Sequence, residues 1–382
     1  MNILVLSDGY PTESHRMSGL FAFDQAKALQ SIGHNVVFGC VNFRSIKHRN
    51  KPGIYKCEKD GITIYTINCP LGRIPSIFLK EFQSVAFQML YRRIRSDGVE
   101  VDIVHAHFYD MGYCAAKNKK IFGYKVVLTE HYSGYVKNEK KTVEHLKKHY
   151  HLAYEQADIV LAVGNQLAQQ LKHLYRVNVE VVPNVVDTTV FNEALEKRCS
   201  RTDEIVRFVA VGRLTEQKNL ELLIKAFSRA LITNKNMTLS IIGNGVLYQK
   251  LSDLIREEKA ENEIYLLGGM SREEIAMEFS KADCFVLLSS YETFGVVYIE
   301  ALAAGLPVIA TSCGGPEDFI KREYGILLDN PNEEIASKAI IQMSNTYLSY
   351  NAKFLSKDIN SRFSPKVIAN KLNAEYTKCF VK

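Results

Sequence analysis

Arg207-Phe208-Val209-Ala210-Val211-Gly212-Arg213-Leu214-Thr215-Glu216-Gln217-Lys218-Asn219, running on into Leu220-Glu221-Leu222-Leu223-Ile224, decides how the chain is read. An apolar, β-branched run ends on glycine, a charged loop follows, and a helix-period pattern begins. That is one strand-loop-helix step of a parallel sheet covered by helices. The step recurs outward in both directions. Downstream, strands are expected at Thr238-Ile242, Ile264-Leu267, Cys284-Leu288, Pro307-Ala310 and Gly325-Leu328, with helices such as Leu220-Leu231 and Val246-Glu258 between them. Upstream, a second series reads Asn2-Leu6, Asn35-Cys40, Ile62-Ile67, Asp102-His107, Lys125-Thr129, Ile159-Val163 and Val179-Val182.

Between the two series, Val182-Pro183-Asn184-Val185-Val186-Asp187 and a charged run to about Arg201 carry no strand pattern and read as an interdomain linker. The expected organisation is therefore α/β throughout: two Rossmann-like, doubly wound domains, 1–185 and 186–363, facing across a cleft. Ser364-Pro365 places a capping hydroxyl before proline at a first helical position. It opens an amphipathic helix, 364–382, expected to pack back on the first domain.

Composition agrees with two domains. The 382 residues are 47% hydrophobic and 24% charged, enough for a large core and too long for one ordinary domain. No run approaches about 18 apolar residues, and Met1 leads straight into a strand with no basic leader, so neither a membrane span nor a secretory signal is expected. Eight cysteines lie scattered without a CxxC, which argues against structural zinc and a disulfide framework. A cytoplasmic location follows as the expectation. Of the net charge of +6, residues 1–190 carry 24 basic against 17 acidic side chains, or +7, and the remainder 24 against 25, or −1. An excess of that size suits steering toward an anionic lipid or acidic acceptor, or an ordinary solvated surface; with no aromatic-basic RNA motif, nucleic acid is not expected as a partner.

The chemistry concentrates at the ends of expected strands. Arg213 and Lys218 flank a helix start, where a planar guanidinium and a point-charge ammonium can neutralise a diphosphate. A pair of solvated loop cations would look the same. In Ser289-Ser290-Tyr291-Glu292-Thr293-Phe294-Gly295-Val296-Val297-Tyr298-Ile299-Glu300, two carboxylates stand eight residues apart in apolar surroundings and require donors. Eight helical residues rise about 12 Å, the span from sugar to ribose in an extended nucleotide sugar. Glu292 is assigned to sugar hydroxyls and Glu300 to a ribose diol, with backbone N–H groups of Phe294 and Gly295 at the helix start; one cap acid and one buried acid is the plain alternative. Gly243-Asn244-Gly245 and the backbone around Leu267-Met270, including Met270, are expected to border the nucleotide.

Upstream, Ser7-Asp8-Gly9-Tyr10-Pro11 and Ser18-Gly19 form a long glycine-bearing loop without the GxGxxG of nicotinamide sites, and Gly19 can approach a phosphate or acceptor. His105, His107 and His131 end adjacent strands, where imidazole can bond a hydroxyl or shuttle a proton. Satisfied structural histidines are the alternative. No HExxH and no DxD triplet occurs, so no metal cofactor is expected. Ser76-Arg95 is amphipathic, with Phe78, Leu79, Phe82, Val85 and Leu90 read mainly as core and Arg92, Arg93 and Arg95 as a basic end; Lys137-Lys148 is a basic helical stretch. Either could touch an anionic membrane.

Taken in order, Val211-Gly212-Arg213-Leu214 with Lys218, Ile242-Gly243-Asn244-Gly245, Ser290-Tyr291-Glu292 through Glu300-Ala301, Gly305-Leu306-Pro307 and Gly314-Gly315-Pro316-Glu317 resemble the retaining glycosyltransferases of family 4, which have the GT-B fold. His105-Ala106-His107, Glu130-His131, Pro183-Asn184-Val185-Val186-Asp187 and the Phe363-Ser364 tail extend the resemblance over nearly the whole chain. It implies a nucleotide-sugar donor held mainly by the C-terminal domain and a glycan or lipid-linked acceptor mainly by the N-terminal one. By position, it makes Arg213 and Lys218 a diphosphate clamp, Glu300 a ribose ligand, Glu292 a donor-sugar ligand and His131 a sugar-contacting active-site histidine. Two departures are visible: Val185 stands where the linker motif usually has glycine, and Pro316 directly follows the glycine pair.

The implied activity is glycosyl transfer with retention, from a UDP- or GDP-sugar, in assembly of a bacterial-type surface glycan or glycolipid. A sugar-nucleotide epimerase and a noncatalytic sugar-nucleotide-binding subunit are the alternatives. Neither glutamate is expected beneath the anomeric carbon, so same-face substitution is favoured over a covalent intermediate.

Overall fold

The structure is a computed structural model that describes residues 1–12, 18–43, 51–69, 76–136, 147–197 and 203–380, without the side chains of 76, 77, 147 and 148. The chain divides into two compact units, Met1–Val185 with Pro365–Lys382, and Val186–Ser364.

The first unit carries strands β1 (Asn2–Ser7), β2 (Asn35–Asn42), β3 (Gly53–Lys59), β4 (Ile62–Asn68), β5 (Ile103–His107), β6 (Lys125–Glu130), β7 (Ile159–Ala162) and β8 (Val179–Val181). They lie in the order β3-β4-β2-β1-β5-β6-β7-β8. All are parallel to their neighbours except β3, which runs antiparallel to β4. The central strands are buried along almost their whole length, as expected of strands covered by helices on both faces.

Strand β3 has no counterpart in the sequence-based series. Its Gly-Ile-Tyr-Lys-Cys-Glu-Lys is mostly exposed, so it lacks the apolar run that marks its neighbours. The signal lay in the turn: Asp60 and Gly61, both at positive φ, close a two-residue hairpin.

Helices of this unit are α1 (Leu20–Ser31), α2 (Ser76–Ser96), α3 (Phe108–Phe122), α4 (Lys147–Gln156) and α5 (Asn165–Tyr175). The tail helix, Pro365–Lys378, packs against α1 through a face that buries Ile368, Ala369, Leu372 and Tyr376.

In α2 the reading of the apolar stripe as core is corrected. Ala86, Phe87, Leu90, Tyr91 and Ile94 face inward, while Phe78, Phe82, Val85 and Met89 are 60%, 48%, 53% and 52% exposed. The two sets alternate at helical spacing, so α2 has two apolar faces and its unit covers one. The basic stretch Lys137-Lys148 falls largely outside the described residues.

The second unit begins with α6 (Thr189–Glu196). The described part of the stretch to Arg201 carries no strand, as expected, but it is not a bare linker: α6 buries Phe191 and Ala194 against helices Arg272–Lys281 and Val296–Ala303. Asn360 Nδ2 donates to Asn192 Oδ1 at 2.7 Å, tying the helix to the rest of its unit. Val185, the first departure from the motif, is buried and is not among the residues at positive φ, so its Cβ meets no backbone penalty.

Strands β9 (Val206–Val211), β10 (Met237–Ile242), β11 (Ile264–Gly268), β12 (Cys284–Val286), β13 (Val308–Thr311) and β14 (Gly325–Leu328) form one parallel sheet in the order β11-β10-β9-β12-β13-β14. Its further helices are α7 (Leu220–Thr233), α8 (Tyr248–Glu257), α9 (Arg272–Lys281), α10 (Val296–Ala303), α11 (Glu333–Thr346) and α12 (Ala352–Phe363). The tail helix is α13.

Candidate active site

In a doubly wound sheet the strand order reverses at one point, and loops leaving the two flanking strands open a crevice there. In the second unit that point lies between β9 and β12. The loop after β9 carries Arg213 and Lys218; the one after β12 carries Glu292, Phe294 and Gly295. Ser290 N–H donates to the Gln217 carbonyl at 2.8 Å, and Gln217 Nε2 donates to the Tyr291 carbonyl at 2.9 Å, so the loops are stitched together. Lys218 Nζ pairs directly with Glu292 Oε1, which also accepts from Ser289 Oγ at 2.8 Å. Both partners are largely buried, whereas Arg213 is exposed and forms no ion pair with a described residue.

Glu292 and Glu300 are not eight helical residues apart. The chain from Tyr291 to Gly295 is irregular and α10 begins at Val296, so the 12 Å helical rise does not apply. Gly295 bends into the helix at φ 94°, and Phe294 turns its ring inward against Phe319 and Phe363. Among the described residues no acceptor meets the backbone N–H of Phe294 or Gly295. Glu300 Oε1 lies 3.4 Å from Arg272 Nε at the start of α9. Sequence reading missed Arg272, although Ser271-Arg272-Glu273-Glu274 spells the capping box seen there and so marked the helix start.

Three glycine-bearing loops close the other side of this site. Leu214 N–H donates to the Asn244 carbonyl at 3.0 Å, and Gly243 N–H to the Gly268 carbonyl at 2.8 Å. A Cβ on Gly243 would stand 1.9 Å from the Gly212 carbonyl oxygen. Met270, half-buried, follows on the β11 loop. Beside the glycine pair, Glu317 accepts from the N–H groups of Cys313 and Gly314 at 3.0 and 2.7 Å. Pro316, the second departure, opens the short helix Pro316–Asp318, where its missing N–H costs nothing.

In the first unit the reversal falls between β1 and β5. Gly19, at φ 59°, caps α1 so close to Gly9 that a Cβ would meet the Gly9 carbonyl oxygen at 2.1 Å. From β5 and β6 come the three histidines. His105 and His107 stack at 4.9 Å with rings 6° apart, and His107 meets His131 edge to edge, with ring centroids 5.1 Å apart. Phe21 and Phe108 pack His131 from elsewhere, at 4.3 and 5.1 Å.

Behind His131, the buried Glu130 carboxylate accepts from the backbone N–H of His131, Tyr132 and Tyr109 and from Tyr154 Oη. It fixes the main chain at the ends of both strands. Burial pushes its carboxyl up to about 7, with the Tyr154 hydroxyl and the Tyr132 and His131 N–H groups pulling the other way. Burial also holds His105, His107 and His131 well below the usual imidazole range.

These shifts have opposite consequences. A histidine depressed by folding contributes stability present above its unfolded value near 6.5 and lost as pH falls toward the folded one; Glu130 contributes below 4.5 and fades as pH rises through about 7. Three histidines outweigh one glutamate. Unfolding should take up roughly one proton at pH 6.5 and roughly two at pH 5, lowering stability by roughly 1–3 kcal/mol per pH unit on acidification. Denaturant unfolding across that window checks this, and a flat profile would contradict neutral imidazoles.

Among the described residues no three His, Cys, Asp or Glu side chains gather as a metal site, and no helix is long and apolar enough to cross a membrane.

Both halves of the chain match glycosyltransferase families: Glycosyltransferase Family 4 over residues 19–190, and Glycosyl transferases group 1 over residues 193–354. The chain belongs to the group 1 glycosyltransferases, and its two Rossmann-like units are those of the GT-B fold. It is 34% identical over 188 residues to an uncharacterised glycosyltransferase of Methanocaldococcus jannaschii, covering 46% of this chain and 45% of that protein. It is also 26% identical over 371 residues to the alpha-monoglucosyldiacylglycerol synthase of Acholeplasma laidlawii, covering 87% and 86%. Among solved structures, sucrose-phosphate synthase from Thermosynechococcus elongatus superposes with a TM-score of 0.79 at 21% identity over 99% of each chain.

Proposed function

We propose that the chain moves a glycosyl group, with retention, from a UDP- or GDP-sugar to a hydroxyl of a glycan or lipid-linked acceptor in surface glycan or glycolipid assembly. The observation that carries this reading is the buried Lys218–Glu292 pair at the strand-order reversal, with Arg213 exposed beside it. The pair keeps two charges neutral until a donor arrives. Pyrophosphate then takes Lys218 and Arg213, the sugar hydroxyls take Glu292, and the ribose diol takes Glu300 from Arg272. Negative charge that builds on the departing diphosphate is met by cations already in place. The leaving phosphate helps deprotonate the acceptor on the same face, so no protein nucleophile is required.

A thermal-shift screen with nucleoside diphosphates and their sugar conjugates tests donor binding. Stabilisation by one base, increased by one sugar, supports the reading, and no shift with any of them defeats it. Release of nucleoside diphosphate only when an acceptor is present separates transfer from epimerisation. Because Arg213 and Lys218 take the part of a metal, initial rates should be unchanged by EDTA; loss of activity restored by a divalent cation would contradict this.

The exposed Phe78-Phe82-Val85-Met89 stripe of α2, which continues into the exposed Arg92, supports peripheral contact with an anionic membrane. The glycolipid synthase among the relatives supports a lipid acceptor. The chain should sediment with phosphatidylglycerol vesicles and not with phosphatidylcholine vesicles, and the Phe78→Ser, Phe82→Ser double variant should remain in the supernatant. Equal sedimentation of variant and parent would remove α2 from the membrane reading.

A further inference from the structure

One continuous line of buried polar side chains crosses the first unit to His131. Tyr376 Oη on α13 lies 2.5 Å from His105 Nδ1. Gln25 Nε2 on α1 lies 2.9 Å from the same nitrogen and 3.3 Å from His107 Nε2. His107 Nδ1 is 2.9 Å from His131 Nε2, and His105 Nε2 is 2.7 Å from Thr129 Oγ1.

A neutral imidazole has one N–H and one acceptor nitrogen, and an amide NH2 has two hydrogens to give. These counts order the protons along the line. Tyr376 O–H and one Gln25 hydrogen converge on His105 Nδ1, so the His105 proton sits on Nε2 and is donated to Thr129. The second Gln25 hydrogen goes to His107 Nε2. His107 therefore carries its proton on Nδ1 and donates it to His131 Nε2. His131 is left with its proton on Nδ1, and among the described residues none accepts it.

We propose that His107 is a positioning residue that locks His131 as a hydrogen-bond donor through Nδ1–H, so that His131 donates to a substrate oxygen and does not take a proton from an acceptor hydroxyl. The substrate contact rests on the proposed function. The lock itself does not. With its acceptor nitrogen occupied by His107, His131 has no basic site to offer. The neighbouring rings and the low imidazole range set by burial keep the line uncharged, which three adjoining histidines require. Glu130 holds the His131 main chain, His107 holds its ring, and the line is anchored on α13, where Tyr376 lies 271 residues from His105 in the sequence. Removing such an outer partner from a working group typically costs roughly 10- to 100-fold.

The test uses the full chain with 15N-labelled histidine. Imidazole nitrogen–proton correlations at about neutral pH, assigned through His131→Gln, should give Nδ1–H for His131 and His107 and Nε2–H for His105. A His131 protonated on Nε2, or on both nitrogens, overturns the proposal whether or not the chain proves to be a transferase. His107→Phe keeps a ring but removes the N–H; His107→Asn returns an N–H near the position of Nδ1. In the first, kcat should fall roughly 10- to 100-fold and His131 should leave the Nδ1–H form. The second should recover both. If the folded fraction of His107→Phe keeps the His131 tautomer, or His107→Asn restores neither reading, His107 only fills space and the proposal is wrong.

Discussion

Lys218→Ala is expected to lower kcat by roughly 10²- to 10³-fold, the effect of deleting one preorganised contact to charge that develops in a transition state. The same substitution strips Glu292 of its ion-pair partner and leaves Ser289 Oγ as its only side-chain donor among the described residues. A largely buried carboxylate without its cation costs roughly 3–5 kcal/mol. The two consequences separate in the double variant Lys218→Ala, Glu292→Gln, where the buried charge is gone. Stability should recover and turnover should not. Arg213→Ala provides the complementary case, because Arg213 is exposed and pairs with no described residue. Its kcat should fall on the same scale with thermal stability unchanged. Wild-type turnover in either single variant would remove the diphosphate clamp from the mechanism.

Gly243→Ala is expected to be the most damaging backbone substitution at the site, at roughly 3 kcal/mol or more. Gly243 sits at φ 149°, and its added Cβ would stand 1.9 Å from the Gly212 carbonyl oxygen. Nothing there can give way cheaply, because the obstacle is main chain in the loop that carries Arg213. Gly33→Ala separates the two components: φ is 93° there, but no atom lies within 4 Å of the added Cβ. It should cost only the strain of a left-handed conformation, roughly 1–2 kcal/mol. Thermal or denaturant unfolding of the two variants measures the difference. Equal losses would mean that the close approach of the Gly243 and Gly212 loops contributes nothing.

Much of the fold was legible because buried parallel strands need continuous apolar runs, and β1, β6 and β9 each have one. Strand β3 escaped for the converse reason, an exposed edge being free to carry Lys56, Glu58 and Lys59. Helix α6 was hidden within a charged stretch because Phe191 and Ala194 are its only buried residues. The candidate site was partly legible too: Arg213, Lys218 and Glu292 were named from residue type and position after a strand. That Lys218 and Glu292 pair was not, since 74 residues separate them and only the adjacency of β9 and β12 brings their loops together.

The chain's residues by themselves determined where most strands and helices start, because hydrophobic period, glycine and capping groups act over a few neighbours. They also determined which charged groups end up at strand termini. Partnership across the sheet was decided only by the tertiary structure: Arg272 on Glu300, Glu130 beneath His131, and a tyrosine on α13 at the far end of the histidine line. Strand order and helix docking set those contacts, and neither leaves a trace in local sequence. The same holds for α2, whose two apolar stripes look alike in the sequence and differ only because one of them met a core.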